Sequence, residues 1–319
     1  MSKLARLVLF VLATIFSVYA LLYLGVRSAM RQDSTYHFLI GSRTLWRSPI
    51  ELEVVETTSD TTPLNLGASP LFNEHDQLVY APDRLPVLPP RITTKTMVLF
   101  TFGQSNAANF LTTRHDSYEG KVYNFFAGRY YVAKDPLLGS DGTAGSLWTL
   151  LGNKLVDSGV ADRVIVVANG RSGSPIRLWR PEQPLGVHLS FRLSQLVSQG
   201  LPVTHFLWQQ GESDFDTDAT QYENDLQSVI DLTKRYFPQS QFYVAQSSRC
   251  GYKARTTEIP EAQRRAAQRD GVYLGPDSDQ IGIDGRQHPD QCHFNGLGQE
   301  LLASWWLTSI RENIPAATK

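Results

Sequence analysis

Ser105 stands in Gly103-Gln104-Ser105-Asn106, directly after the apolar run Met97-Val98-Leu99-Phe100-Thr101-Phe102. A buried strand that ends in a glycine turn and then delivers a serine exposes the hydroxyl. The next backbone N–H groups then point at whatever that hydroxyl attacks. Far along the chain, Asp290-Gln291-Cys292-His293-Phe294 sets a carboxylate three residues before an imidazole. One turn of backbone lets Asp290 accept from one ring nitrogen of His293, which leaves the other to take a proton from a serine. The carboxylate would fix the tautomer and stabilise the imidazolium that forms. Each motif alone is commonplace; a strand-end serine usually just ends a strand.

Two further stretches supply what the pair lacks. Asn169-Gly170-Arg171-Ser172-Gly173-Ser174-Pro175 follows a second apolar run, and its glycines allow close approach by backbone N–H donors to a developing oxyanion. Trp208-Gln209-Gln210-Gly211-Glu212-Ser213-Asp214 follows a third. Amides and a carboxylate grouped around a glycine are costly to bury without partners, so this stretch reads as a wet cleft with an amide donor. Asp216 and Asp218 suit a helix N-terminus. His288 is a decoy beside the Asp290 motif, and the histidines at 37, 75, 115, 188 and 205 have no comparable local partner.

These motifs need elements to position them. Runs at Met97–Phe102, Val122–Phe126, Arg163–Ala168, Val203–Trp208 and Phe242–Ala245 read as buried strands. Helical faces are formed by Leu147, Leu150, Leu151 and Leu155, by Tyr222, Leu226, Val229, Ile230 and Tyr236, and by Leu297, Leu301, Leu302, Trp305 and Ile310. Strands alternating with helices predict a mostly parallel sheet covered on both faces, with a site beyond the carboxyl ends of the strands.

The chain has 319 residues, enough for one large α/β domain with appendages, and a net charge of −1 gives no support for nucleic-acid binding. Cys250 and Cys292 match no zinc-ligand spacing, and no metal is expected. Residues 7–26 form 20 uncharged, largely apolar residues between Lys3/Arg6 and Arg27/Arg31, which predicts a single uncleaved membrane anchor within residues 1–30. A short basic tail of this kind usually stays in the cytoplasm, so the rest of the chain is expected outside it, on the periplasmic side of a bacterial inner membrane. A Cys250–Cys292 disulfide is then permitted and is expected to pin the loop that carries His293. Residues 31–95 read as a stalk with some β structure, with Ala81–Pro90 an extended connector; residues 96–319 read as the main domain.

The four ordered motifs resemble the SGNH hydrolase superfamily, and within it the sialate O-acetylesterase-like carbohydrate esterases, over about residues 96–311. The resemblance implies a flavodoxin-like three-layer α/β/α sandwich and cofactor-free, metal-free hydrolysis of acetyl esters on sugar hydroxyls, with acetylated carbohydrate as the partner. By position it makes Ser105 the nucleophile, His293 the base and Asp290 its orienter. Ser105, Gly173 and Gln210 become the oxyanion donors, and Gln104, Asn106 and Glu212 hold the loops. Ser172 stands where the family pattern has its first glycine, with Arg171 before it, so the oxyanion loop is expected to be shaped differently. A carbohydrate O-acetyltransferase using the same acyl-enzyme, or a non-catalytic glycan-binding module, are the alternative readings.

Overall fold

A computed structural model of the chain describes residues 69–251 and 257–314. The expected anchor at 7–26 and most of the stalk expected at 31–95 lie outside these residues. Among the described residues, no helix is long and apolar enough to cross a membrane.

Nine strands appear among the described residues: β1 (Leu71–Phe72), β2 (Leu78–Tyr80), β3 (Thr96–Gly103), β4 (Val122–Phe126), β5 (Arg129–Val132), β6 (Arg163–Gly170), β7 (His205–Gln209), β8 (Gln241–Gln246) and β9 (Val272–Asp277). The first two form an antiparallel hairpin, and the other seven form one sheet in the order β5-β4-β6-β3-β7-β8-β9. All neighbours in that sheet run parallel except β5, which folds back antiparallel on β4. The five sequence-predicted strands are all present. The edge strands β5 and β9 are additions, as is the helix pair α2 (Pro184–Ser198) and α4 (Glu258–Ala266). The predicted helices are α1 (Leu147–Asp157), α3 (Ala219–Tyr236) and α5 (Gly296–Glu312).

Period-two alternation along the strands divides the core. Val98, Phe100 and Phe102 join Ile165, Val167, Phe206 and Trp208 on the face that α2, α3 and α4 cover. Met97 and Leu99 join Val164, Val166 and Leu207 on the face covered by α1 and α5. Both faces are dry, which is why β3 is buried along its whole length and reads in sequence as an unbroken apolar run. The result is a three-layer α/β/α sandwich. Asp218 caps α3 as the sequence suggests, accepting from the Gln221 N–H at 2.9 Å, and Asn295 caps α5, accepting from Leu297 and Gly298 at 3.0 and 3.1 Å.

Strand β3 is the topological switch point, with β4 and β6 on one side and β7, β8 and β9 on the other. Its last residue, Gly103, is in register with Gly170 on β6 and Gln209 on β7. Three motif loops therefore leave the sheet side by side. Gly103 has φ +128°, and a Cβ there would meet the Gln209 carbonyl oxygen at 2.1 Å. That carbonyl also accepts from the Gln104 N–H at 3.1 Å, so the contact is part of the turn. Gly103→Ala is expected to destabilise the fold by on the order of 3–5 kcal/mol, since both the backbone angle and the space exclude a side chain. Urea unfolding of the variant checks this; a loss under about 1 kcal/mol would show that β3 and β7 can separate without harm.

Candidate active site

Ser105 opens a short 3-10 turn, Ser105–Ala107, immediately beyond β3. The turn is braced from below: Trp148 on α1 donates its indole N–H to the Ala107 carbonyl at 2.8 Å. Ser105 is buried, at 4% exposure. Neither its backbone N–H nor that of Gly173 donates to an acceptor among the described residues. Gly173 lies at φ +63° on the exposed loop after β6. The loop that carries Gly173 is tied to the serine corner by the Arg171 N–H, which donates to the Gly103 carbonyl at 2.8 Å, and unpaired amides on these two turns suit a developing oxyanion.

The carboxylate and imidazole meet as their spacing suggests. His293 Nδ1 lies 2.7 Å from Asp290 Oδ2, and the Asp290 Oδ1 atom accepts from the Cys292 N–H at 2.9 Å. Burial on its own would raise the Asp290 pKa. The Cys292 N–H, the His293 ring and the His293 charge together hold it below the usual carboxylate range. Phe110 stacks on the imidazole with centroids 5.7 Å apart, fixing the ring plane. The ring remains reachable, with 21% of the side chain exposed. No hydrogen bond joins Ser105 Oγ to His293 among the described residues; such bonds often tighten only when substrate binds.

Asn106 ties the serine turn to both neighbouring loops. Its amide donates to Glu212 Oε1 at 2.7 Å and to the Cys292 carbonyl at 3.3 Å. Glu212 is fully buried, and burial pushes its pKa upward, partly countered by the Asn106 amide. Gln104 Oε1 accepts from the Ser213 N–H at 3.0 Å and from Gly211 at 3.4 Å. The residues on either side of Ser105 thus fasten it to the β7 loop and to the histidine loop. Cys250 and Cys292 are joined by a disulfide across a sequence separation of 42.

Gln210 sits differently from the sequence expectation. Its Nε2 faces the Asp214 carboxylate, the Ser174 carbonyl at 3.1 Å and Gln104 Oε1 at 3.3 Å, while its Oε1 accepts from the Tyr222 hydroxyl at 2.9 Å. Both amide hydrogens are committed within the protein, so Gln210 braces the β6 and β7 loops and offers no free donor. Asp214 extends the brace by accepting from the Ile176 N–H at 2.9 Å.

Two positioning residues carry no signal in the sequence. Arg286 is buried and donates to four backbone carbonyls: Ile281 at 3.1 Å, Ser278 at 3.0 Å, Arg249 at 3.3 Å and Cys292 at 2.7 Å. Its guanidinium lies 4.7 Å from the centroid of the Phe294 ring. Gln263 on α4 donates to the Gln210 carbonyl at 2.8 Å and accepts from the Ser247 N–H at 2.8 Å. An arginine in a polar loop and a glutamine in a charged helix read as surface residues until the tertiary contacts are seen.

A mostly parallel sandwich with a serine at one strand end, an unpaired amide on the next strand's loop, and an Asp–His pair on a loop tied to the serine turn is the frame of an acyl-transfer hydrolase. The model of the family described as "Carbohydrate esterase, sialic acid-specific acetylesterase" matches residues 95–310, and the chain belongs to that family. It is a hydrolase of carbohydrate O-acetyl esters. No curated protein matches the chain. Among solved structures, a protein of Arabidopsis thaliana shares 16% identity over 69% of this chain and 99% of its own, with a TM-score of 0.55. The structure named NanS shares 14% over 68% of this chain and 97% of its own, with a TM-score of 0.51. At such identities these likenesses speak to the fold.

Two outcomes test the site geometry. Gln210→Ala should lower the melting temperature along with turnover, since it removes a brace; lost turnover at unchanged melting temperature would restore Gln210 as an oxyanion donor. Because Asp290 has a depressed folded pKa, its share of stability is complete above the unfolded value near 4 and disappears as pH falls through the folded value. Asp290→Asn should therefore flatten the acid limb of the stability profile below about pH 4, read by chemical unfolding at each pH.

Proposed function

We propose that Ser105 attacks the acetyl carbonyl of an O-acetylated sugar while His293 takes its proton. Asp290 keeps the proton-bearing Nδ1 of His293 facing the carboxylate and stabilises the imidazolium that results. The Ser105 and Gly173 amides receive the negative charge that develops on the carbonyl oxygen. Collapse of the tetrahedral species releases the sugar hydroxyl, protonated by His293. Water, activated by the same imidazole, then attacks the acyl-serine and frees acetate. The observation that carries this assignment is the Asp290–His293 pair, on a loop that Asn106 ties to the serine turn, beside the unpaired amides of Ser105 and Gly173.

We also propose that the catalytic domain works outside the cytoplasm, held by an anchor at residues 7–26. The Cys250–Cys292 disulfide supports this, because such bonds persist in oxidising compartments. Mass spectrometry of protein isolated without reductant should find the two cysteines linked; two alkylatable thiols would remove this support.

Acetate release from an aryl acetate, and then from acetylated sugars, tests the chemistry. The wild type should be active. Ser105→Ala and His293→Ala should each lose at least about 10³-fold in kcat, as expected when a member of a catalytic unit is removed. Equal rates in all three proteins would overturn the assignment.

A further inference from the structure

The hairpin of β1 and β2 lies N-terminal to the family match, yet it belongs to the same unit as the sheet. Its turn is self-braced: Asn73 Oδ1 accepts from the His75 N–H at 3.0 Å and the Gln77 N–H at 2.9 Å, and Asp76 takes φ +52°. The turn then reaches across to the loop that carries Gly173. Buried Gln77 donates to Asn169 Oδ1 at 3.0 Å and to the Gly139 carbonyl at 2.9 Å. Arg171 donates to the Asp76 carboxylate and to the His75 carbonyl. The His75 ring rests on His188 of α2, with centroids 4.5 Å apart.

A second layer repeats the grip. Leu78 and residues 139–140 exchange backbone hydrogen bonds, Leu78 N–H to the Ser140 carbonyl at 2.9 Å and Gly139 N–H to the Leu78 carbonyl at 2.8 Å. From there Ser140 Oγ accepts from the Gly170 N–H at 2.7 Å, and Asp141 Oδ2 accepts from the Ser172 N–H at 3.1 Å. On the other side, the Arg171 N–H donates to the Gly103 carbonyl at 2.8 Å. The amides of residues 170, 171 and 172 are thus all engaged, and the first one released is that of Gly173. Arg171 and Ser172 are the positions where this loop departs from the family pattern, and the partner that Arg171 grips lies outside the family match.

We propose that the turn at residues 73–77 is a clamp that positions the Gly173 amide for the reaction, with Arg171 and Asn169 as the points it holds. The clamp replaces the backbone flexibility of a paired-glycine loop with side-chain tethers from the preceding segment. Its catalytic meaning rests on the esterase reading of Ser105 and Gly173. Its structural meaning does not.

The test uses the full-length chain with Asp76→Gly, Gln77→Ala and Asp76→Asn. Glycine accepts φ +52°, so Asp76→Gly removes the carboxylate without straining the turn, and Gln77→Ala cuts a second tether without adding a glycine's backbone freedom; asparagine also tolerates the angle and keeps an acceptor oxygen. Hydrogen exchange of the peptide covering residues 169–175 should speed up in Asp76→Gly and Gln77→Ala and stay near wild type in Asp76→Asn. On an aryl acetate, the first two should lose on the order of tenfold in kcat at unchanged KM, short of the 10²–10³ expected for removing a donor outright. Unchanged exchange in both Asp76→Gly and Gln77→Ala would overturn the clamp, as would full kcat in both. Should the wild type turn over no ester, the esterase reading falls and the exchange comparison alone decides the clamp.

Discussion

The structure depends on the absence of one side chain. Strand β3 lies between β6 and β7, and its final residue sits so close to the Gln209 carbonyl that only hydrogen fits on its Cα. That approach lets the chain turn at once, so Ser105 emerges over the end of the sheet and not along it. The same register brings Gly170 and Gln209 level with Gly103, so the β6 and β7 loops flank the serine with no intervening structure. Asn106, Gln104 and Arg171 then fasten that corner to its neighbours through hydrogen bonds of 2.7 to 3.4 Å.

The sequence showed what has local grammar. Alternating apolar runs and amphipathic faces gave the central strands and the helices α1, α3 and α5. Three of the four motifs leave strand ends, while Asp290–His293 lies on the loop between the turns after β9 and α5. The Asp290–His293 contact was legible because three residues of separation nearly settle it. What stayed hidden was set by tertiary context. Strand β9 contains Gly275-Pro276, and β5 is a short, half-exposed edge. Helix α4 holds Pro260, tolerated because it lies in the first turn, and α2 starts at Pro184 with Gly186 two residues later.

The Gln210 expectation failed for a related reason. Its motif announces polar groups around a glycine but not which of them satisfy one another. Asp214, four residues on, and Tyr222, on the following helix, answer that question from within the protein. A buried amide with acceptors on one end and a hydroxyl donor on the other is fully matched, and such networks fix loops well because every alternative leaves a polar atom unpaired. The role of the segment before residue 95 was equally invisible, since a hairpin turn of Asn, His, Asp and Gln has no chemistry until it is seen against the loop it touches.

Arg286 touches the loops around the site almost wholly through their main chain, taking four carbonyl oxygens from Ile281, Ser278, Arg249 and Cys292. A carbonyl is present whatever residue supplies it. A change of side chain at Arg249 therefore leaves the acceptor that Arg286 uses in place, whereas Ser278 and Ile281 are buried and held by contacts of their own. One buried cation thus gathers the main chain of several segments at a single point, and the residue before His293 is among those it holds.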